Sequence, residues 1–188
     1  MTVRAIALDL FEAVITDKAY SNIALNEALR YEDLSTEDKG LLTEILYGTL
    51  QRKLTLEHFI KPFVRTKLKR WQRHLLLISV YQLEYLDRVP DYAVINEAVE
   101  IAKDEGGPGS AKQINGILRA YLRSERPGFT NIKDDAHRLS LMYSMPKWII
   151  RHWFKHYSYD ETEKILDALN ERPQMYLRTN KKLIDRDD

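Results

Sequence analysis

Between Arg88 and Arg123 the chain reads RVPDYAVINEAVEIAKDEGGPGSAKQINGILRAYLR. Val94, Ile95, Ala98, Val99, Ile101 and Ala102 recur at helical spacing and make a broad apolar stripe. Ile114, Ile117, Leu118, Tyr121 and Leu122 repeat the pattern. Between the two stripes stand Gly106, Gly107, Pro108 and Gly109, residue types that punctuate helices. The spacing predicts two apolar helices facing each other across a glycine-rich loop, the second N-capped by Ser110. Pro90 suits the first turn of the first helix, where its missing N–H would be unpaired anyway. Gly116 interrupts the second apolar face at a cost of about 1 kcal/mol against alanine. Close approach of a neighbouring helix is the expected compensation.

The rest of the chain continues the helical pattern. Thr2 caps a first helix running to about Ile15, with Ala7, Leu8, Phe11, Val14 and Ile15 on one side. Ser21 starts a second to about Arg30. Ser35 opens a third, with Asp38 at the capping-box position in place of the usual glutamate. Thr55 is expected to cap a short fourth helix bearing Leu56, Phe59, Ile60 and Phe63. Leu75 to Leu86 is apolar almost all round, which marks a central buried helix. Gln82 inside it must bond within the core, because an unpaired buried amide costs about 1–3 kcal/mol. Arg123 to Asp135, with Ser124, Pro127 and Gly128, reads as a linker. Ser144 and Asp160 are expected to cap two further helices, and Pro173 to end the second. Gln174 to Thr179 alternates weakly, but a lone strand has nothing to pair with. The charged tail to Asp188 is expected to fray. The fold class is therefore all-α.

Composition removes several kinds of chemistry. The 188 residues include no cysteine, so disulfides, thiolate zinc sites and cysteine nucleophiles are excluded. The N-terminus MTVRAIALDLFEAV has acids where a signal peptide is purely apolar, and no apolar run approaches the length of a membrane span. These features fit a cytoplasmic setting. The net charge of +1 says little about polyanions, so any such argument rests on local clusters. One exists: Lys61, Arg65, Lys67, Lys69, Arg70 and Arg73 fall in a stretch with no acid. It is either a solvated connection or part of a phosphate-facing surface. His152 and His156 are spaced for one helix face, but no third ligand accompanies them and no metal site is expected. Gly106 to Gly109 is read as a turn rather than a phosphate cradle, and Trp148 and Trp153 as core rather than base-stacking residues.

Two resemblances go further. AIALDLFEAVITD resembles the opening motif of haloacid-dehalogenase-like phosphatases. That chemistry needs a second carboxylate two residues after Asp9, where this chain has Phe11, and a βαβ alternation that is missing. VINEAVEIAK followed by AKQINGILR is similar to the signature of the NusB family of all-helical RNA-binding domains. Asn96, Glu97, Val99, Ala102 and Lys103 carry the match, then Lys112, Asn115, Gly116, Leu118 and Arg119. The resemblance implies a NusB-like helical bundle of two packed helical subdomains over residues 1–125. SMPKWIIRHWFKHY and ERPQMYLRTN resemble the segment that follows this domain in the RsmB (Sun/Fmu) family of 16S rRNA cytosine-5 methyltransferases. Ser144, Pro146, Trp148, Asn170, Pro173, Leu177, Arg178 and Asn180 match there, and Asp38, Glu44, Tyr47, Gly48, Gln82, Leu83 and Pro90 agree upstream.

The resemblance implies residues 126–143 as a linker and 144–188 as a short helical extension leading toward a methyltransferase region. The chain has neither that family's glycine-rich S-adenosylmethionine loop nor its two cysteines. It looks like an N-terminal fragment, inert by itself, with no catalytic residue and no cofactor of its own, whose parent uses S-adenosylmethionine. The implied partners are rRNA and its own catalytic domain; the oligomeric state stays open. The implied RNA contacts are Arg4, Tyr20, Lys112, Gln113, Asn115 and Arg119. Cations suit phosphate, the amides suit base edges and the phenol suits stacking. Asn115 has a structural alternative as a cap or bridge, and Arg119 has one as a partner of Glu97. Gln113 stands where free-standing members more often carry an aromatic. An adaptor docking on its own catalytic domain or on a ribosomal protein, or a free-standing transcription antitermination factor, are the competing readings.

Overall fold

A computed structural model describes residues 2–31 and 33–171. Among them all regular elements are helical: α1 Val3–Thr16, α2 Ser21–Tyr31, α3 Thr36–Ile60, a 3-10 turn Lys61–Phe63, α4 Arg70–Tyr85, α5 Asp91–Arg123, α6 Asp135–Tyr143, α7 Lys147–Trp153 and α8 Tyr159–Asn170. The weakly alternating stretch Gln174 to Thr179, the stop expected at Pro173 and the charged tail lie outside the described residues.

The main core forms where α1, α3, α4 and α5 meet. Phe11, Leu42, Ile45, Leu46, Leu76, Leu77, Ile114, Leu118 and Tyr121 are shielded from solvent. Each fully buried aliphatic side chain of this kind contributes about 1.5–3 kcal/mol. A second, smaller core gathers Ala136, Leu139, Ile150 and Leu166 from α6, α7 and α8. Two apolar clusters of this kind need a joint. It is made where Thr55 Oγ1 donates to the Leu141 carbonyl at 2.6 Å and the Leu54 N–H donates to Ser144 Oγ at 2.9 Å.

That joint corrects two expectations. Thr55 does not cap a helix; α3 runs unbroken through it to Ile60. Leu50, Leu56 and Ile60 keep the stripe in register, and the threonine hydroxyl finds its acceptor on another helix. Ser144 does not open a helix but closes α6, in the left-handed region at φ 55°. Its hydroxyl holds α3. Pro146 is the residue that precedes α7. Ser158, not Asp160, caps α8, through a reciprocal capping box with Glu161. The stretch 126–143 also contains α6, whose Asp134 cap and buried Leu139 were hidden among polar residues.

The organising stretch differs in detail. The two expected helices are present and follow each other directly as the two halves of α5, and the loop between them shrinks to a kink at which only Gly107 leaves helical geometry, at φ 76° and ψ −177°. Only glycine takes that conformation without strain. Pro108 follows, where no helical N–H is required of it. Ser110 does not cap; its hydroxyl donates back to the Gly106 carbonyl at 3.0 Å. Gly116 is exposed and has no neighbour within 4 Å of a built Cβ. The close approaches occur elsewhere. A Cβ on Gly48 would lie 1.9 Å from Tyr81 Cζ, and one on Gly106 would lie 2.7 Å from Trp71 Cζ2.

Candidate nucleic-acid interface

The second half of α5 presents Lys112, Gly116, Arg119 and Arg123 to solvent, with Asn115 half-buried beside them. The spacing of three and four residues puts them in one row on one face. Arg119 Nε donates to Asn115 Oδ1 at 2.8 Å, and Arg123 Nε donates to the Arg119 carbonyl at 3.2 Å. Asn115 therefore orients Arg119 within the helix, and Arg119 does not pair with Glu97. Lys112 has no ion-pair partner among the described residues. Gly116 leaves open space in the row, with nothing within 4 Å of a built Cβ.

Gln113 has another role. Its Oε1 accepts from Gln72 Nε2 at 3.0 Å, and its own Nε2 donates to Thr66 Oγ1 at 2.7 Å. Both ends of the amide are engaged, so Gln113 joins α5 to the connector before α4. Gln72 also accepts the Lys69 N–H at 2.8 Å, closing the first turn of α4. The basic connector is thereby tied to α5 at Gln113. Lys61, Arg65, Lys67, Lys69, Arg70 and Arg73 are all exposed. No ion pair engages any of the six among the described residues.

Arg4 is turned inward. Its Nε donates to the buried Gln82 Oε1 at 2.7 Å, and Glu97 and Asp38 lie close enough to act on its charge. Burial lowers the guanidinium's pKa, and the two carboxylates partly oppose that shift. Arg4 serves the core amide first. Tyr20 is 76% exposed in the turn before α2, where its carbonyl accepts from the Ile23 and Ala24 N–H groups. Its ring makes no aromatic contact among the described residues and is open to stacking. Of the six expected contacts, Lys112, Asn115 and Arg119 stand together, Tyr20 stands free, and Arg4 and Gln113 are held within the fold.

Other groups do not assemble a site. The His152 and His156 rings lie 5.5 Å apart edge to face, and no cluster of three or more metal-ligating side chains occurs among the described residues. Trp148 is not core but 72% exposed, while Trp153 packs on the smaller core. Asp9 stands on a helix, not at a strand end. No helix among the described residues is long and apolar enough to cross a membrane.

Comparison with known proteins agrees with this architecture. The NusB family model matches residues 1–123. A second model, the ferredoxin-like domain of RsmF/B-like methyltransferases, matches residues 145–188. The chain is 41% identical over 187 residues to the Bacillus subtilis protein named "Probable ribosomal RNA small subunit methyltransferase B", covering 98% of this chain and 42% of that protein. A Synechocystis protein of the same name is 30% identical over 183 residues, covering 96% of this chain and 41% of its own length. The chain thus spans about two-fifths of these curated relatives. The crystal structure of PH0851 shares the fold, with TM-score 0.68 at 20% identity over 92% of this chain and 40% of that one. A family model spanning both halves of kinked α5 and the core around it settles the assignment: the chain belongs to the NusB family.

Proposed function

We propose that this chain is the rRNA-binding N-terminal part of a bacterial small-subunit rRNA cytosine-5 methyltransferase, and that it delivers RNA to a catalytic part lying outside it. The observation that carries the reading is the row of exposed Lys112 and Arg119 with half-buried Asn115 between them on a NusB-family fold, together with a connector of six exposed cations. The names of the relatives and the match over residues 145–188 support the methyltransferase setting. Action on rRNA would place the protein in the cytoplasm. S-adenosylmethionine would serve the parent. The residues here do not fit that group: no strand precedes a glycine-rich loop among the described residues, and Gly106 to Gly109 lie within a kinked helix. The chain also has no cysteine to attack a base. No chemical step is assigned to it.

Fluorescence anisotropy with labelled hairpins and single strands from 16S rRNA tests the reading at two salt concentrations. Binding that weakens steeply with salt is expected, because released counterions dominate such affinities. Lys112→Ala and Arg119→Ala should each weaken it without lowering the melting temperature. Absence of binding at low salt overturns the reading.

One observation favours a second role as an adaptor. Trp148, Tyr157 and Leu169 are all exposed on the C-terminal helical part, a set suited to contact with another protein surface. Capture of a separately expressed methyltransferase domain without RNA would select that role.

A further inference from the structure

We propose that the RNA path continues past α5, across the basic connector, into a groove along the end of α3, flanked by α4 on one side and α6 on the other, that takes single-stranded nucleotides. This rests on the RNA-binding reading above and extends it to a surface of its own. Two adjoining hollows form the groove. One, of about 270 Å³, has Leu54, Ile132 and Leu141 as its floor, with His58, His137 and Lys61 around it. The other, of about 290 Å³, has Ile60 and Val64 as floor, with Lys61 and Arg73 around it. Lys61 is shared between them. The carboxylate that borders both, Glu57, is already engaged by Lys53 Nζ at 2.8 Å, so Lys61 and Arg73 keep their charge for an incoming group.

An apolar floor beneath cationic walls matches a strand that lays its bases inward and its phosphates along the rim. A duplex keeps its bases paired and stacked, so it has no use for such a floor. The aromatic element is present as well. His58 stacks on Phe129 with ring centroids 5.0 Å apart and planes 23° from parallel. Its Nε2 lies 3.3 Å from the Gly128 carbonyl. The imidazole is held flat at the groove wall, a fixed surface on which a base can stack. Continuity with the α5 row comes through Gln113, which bonds Thr66 in the middle of the connector at 2.7 Å. Lys112 on α5 and Lys61 and Arg73 at the hollows then offer cations to the phosphates of a strand taking that path. The hollows are lined by residues of α3 and α4 on one side and of α6 on the other, so a bound strand would run from the NusB-like bundle onto α6.

The test uses the whole 188-residue chain, a labelled 12-nucleotide RNA strand and the matching 12-base-pair duplex. Lys61→Ala with Arg73→Ala should weaken binding of the strand about tenfold and flatten its salt slope by about 1.4, the loss of two single-strand phosphate contacts. Duplex binding should change little. Photocrosslinking of a 4-thiouridine strand should label the peptides holding His58 or His137. Because both cations are exposed, the double variant should melt with the wild type; circular dichroism confirms this. Unchanged strand affinity in the double variant, with crosslinks confined to α5 and Tyr20, overturns the groove and leaves the general RNA-binding reading standing. Duplex preferred over strand also overturns it. No binding of either RNA overturns both.

Discussion

The Arg4 guanidinium and the Gln82 side chain form a part-buried hydrogen bond, Nε to Oε1 at 2.7 Å, across 78 residues of sequence. Gln82 is 1% exposed and spends its Nε2 on the Ile78 carbonyl at 3.0 Å. Arg4 thus completes an amide that the apolar α4 could not satisfy alone. Arg4→Ala should strand Gln82 Oε1 and cost about 1–3 kcal/mol. Urea denaturation should show that loss, and Gln82→Leu in the Arg4→Met background should restore part of it. If Arg4→Ala instead abolishes RNA binding at unchanged stability, Arg4 is a contact residue after all.

Alanine should have opposite effects at two helical glycines. At Gly48 the new methyl meets the Tyr81 ring at 1.9 Å. That ring cannot swing away freely, since its hydroxyl donates to Glu44 at 2.7 Å and its centroid lies 5.2 Å from that of the tilted Tyr85 ring. Overpacking of this kind costs about 1–3 kcal/mol. At Gly116 nothing lies within 4 Å, so Gly116→Ala should stabilise by up to about 1 kcal/mol through helix propensity alone. Differential scanning fluorimetry on the two variants separates them by sign.

These glycines also mark what the sequence could and could not convey. Periodicity located α1, α2, α4 and both halves of α5, because each apolar stripe reports its own buried face. It carries no information on which glycine meets a neighbour. Gly116 interrupts an apolar run and Gly48 does not, yet only Gly48 is pressed by another helix. Thr2 and Ser35 cap α1 and α3 as expected, whereas two other caps failed for a related reason. Thr55 and Ser144 have capping chemistry, but their hydroxyls bond between helices, and only tertiary structure decides that. The candidate interface was half legible. Lys112 and Arg119 could be placed on one face by counting, whereas the tie from Gln113 to Thr66 and Gln72 joins segments 41 or more residues apart. The basic connector was visible as a charge run, and the missing signal was the second cationic group beside it in space.

Acid should act on the core through His74. The ring is 5% exposed, meets Phe11 edge to face at 5.2 Å and places Nδ1 3.0 Å from Glu12 Oε1. Burial lowers its pKa, and Glu12 offsets that only in part. The native state therefore holds a neutral imidazole, with its proton on Nδ1 toward the carboxylate. The unfolded chain takes up a proton near pH 6.5, before the native one does. Stability from the neutral ring is fully present above that pH and is lost as pH falls toward the lower native pKa. Urea midpoints measured from pH 8 to pH 5 should decline below about 6.5. His74→Gln should flatten that decline, and an unchanged slope in the variant would show that another group titrates.

The end of α5 is fastened by one arginine. Arg126 donates through Nε and Nη2 to Glu84 Oε1 at 2.7 and 2.6 Å, and through Nη1 to the Tyr121 and Ser124 carbonyls at 3.2 and 3.0 Å. Its guanidinium also lies 4.3 Å over the centre of the Tyr121 ring. Glu84 belongs to α4, so this fan of bonds pins the chain leaving α5 against the central helix. Only a planar group with several fixed donors can serve both carbonyls and the carboxylate while lying on a ring. Arg126→Ala should cost about 1–3 kcal/mol, since it leaves polar groups without partners. Arg126→Lys should recover only a minor part, because an ammonium keeps the charge and loses the fork. Hydrogen exchange should localise the damage to the last turn of α5, with protection there falling before protection in α4. Full recovery by lysine would mean that charge alone fastens this end, and the planar geometry would be incidental.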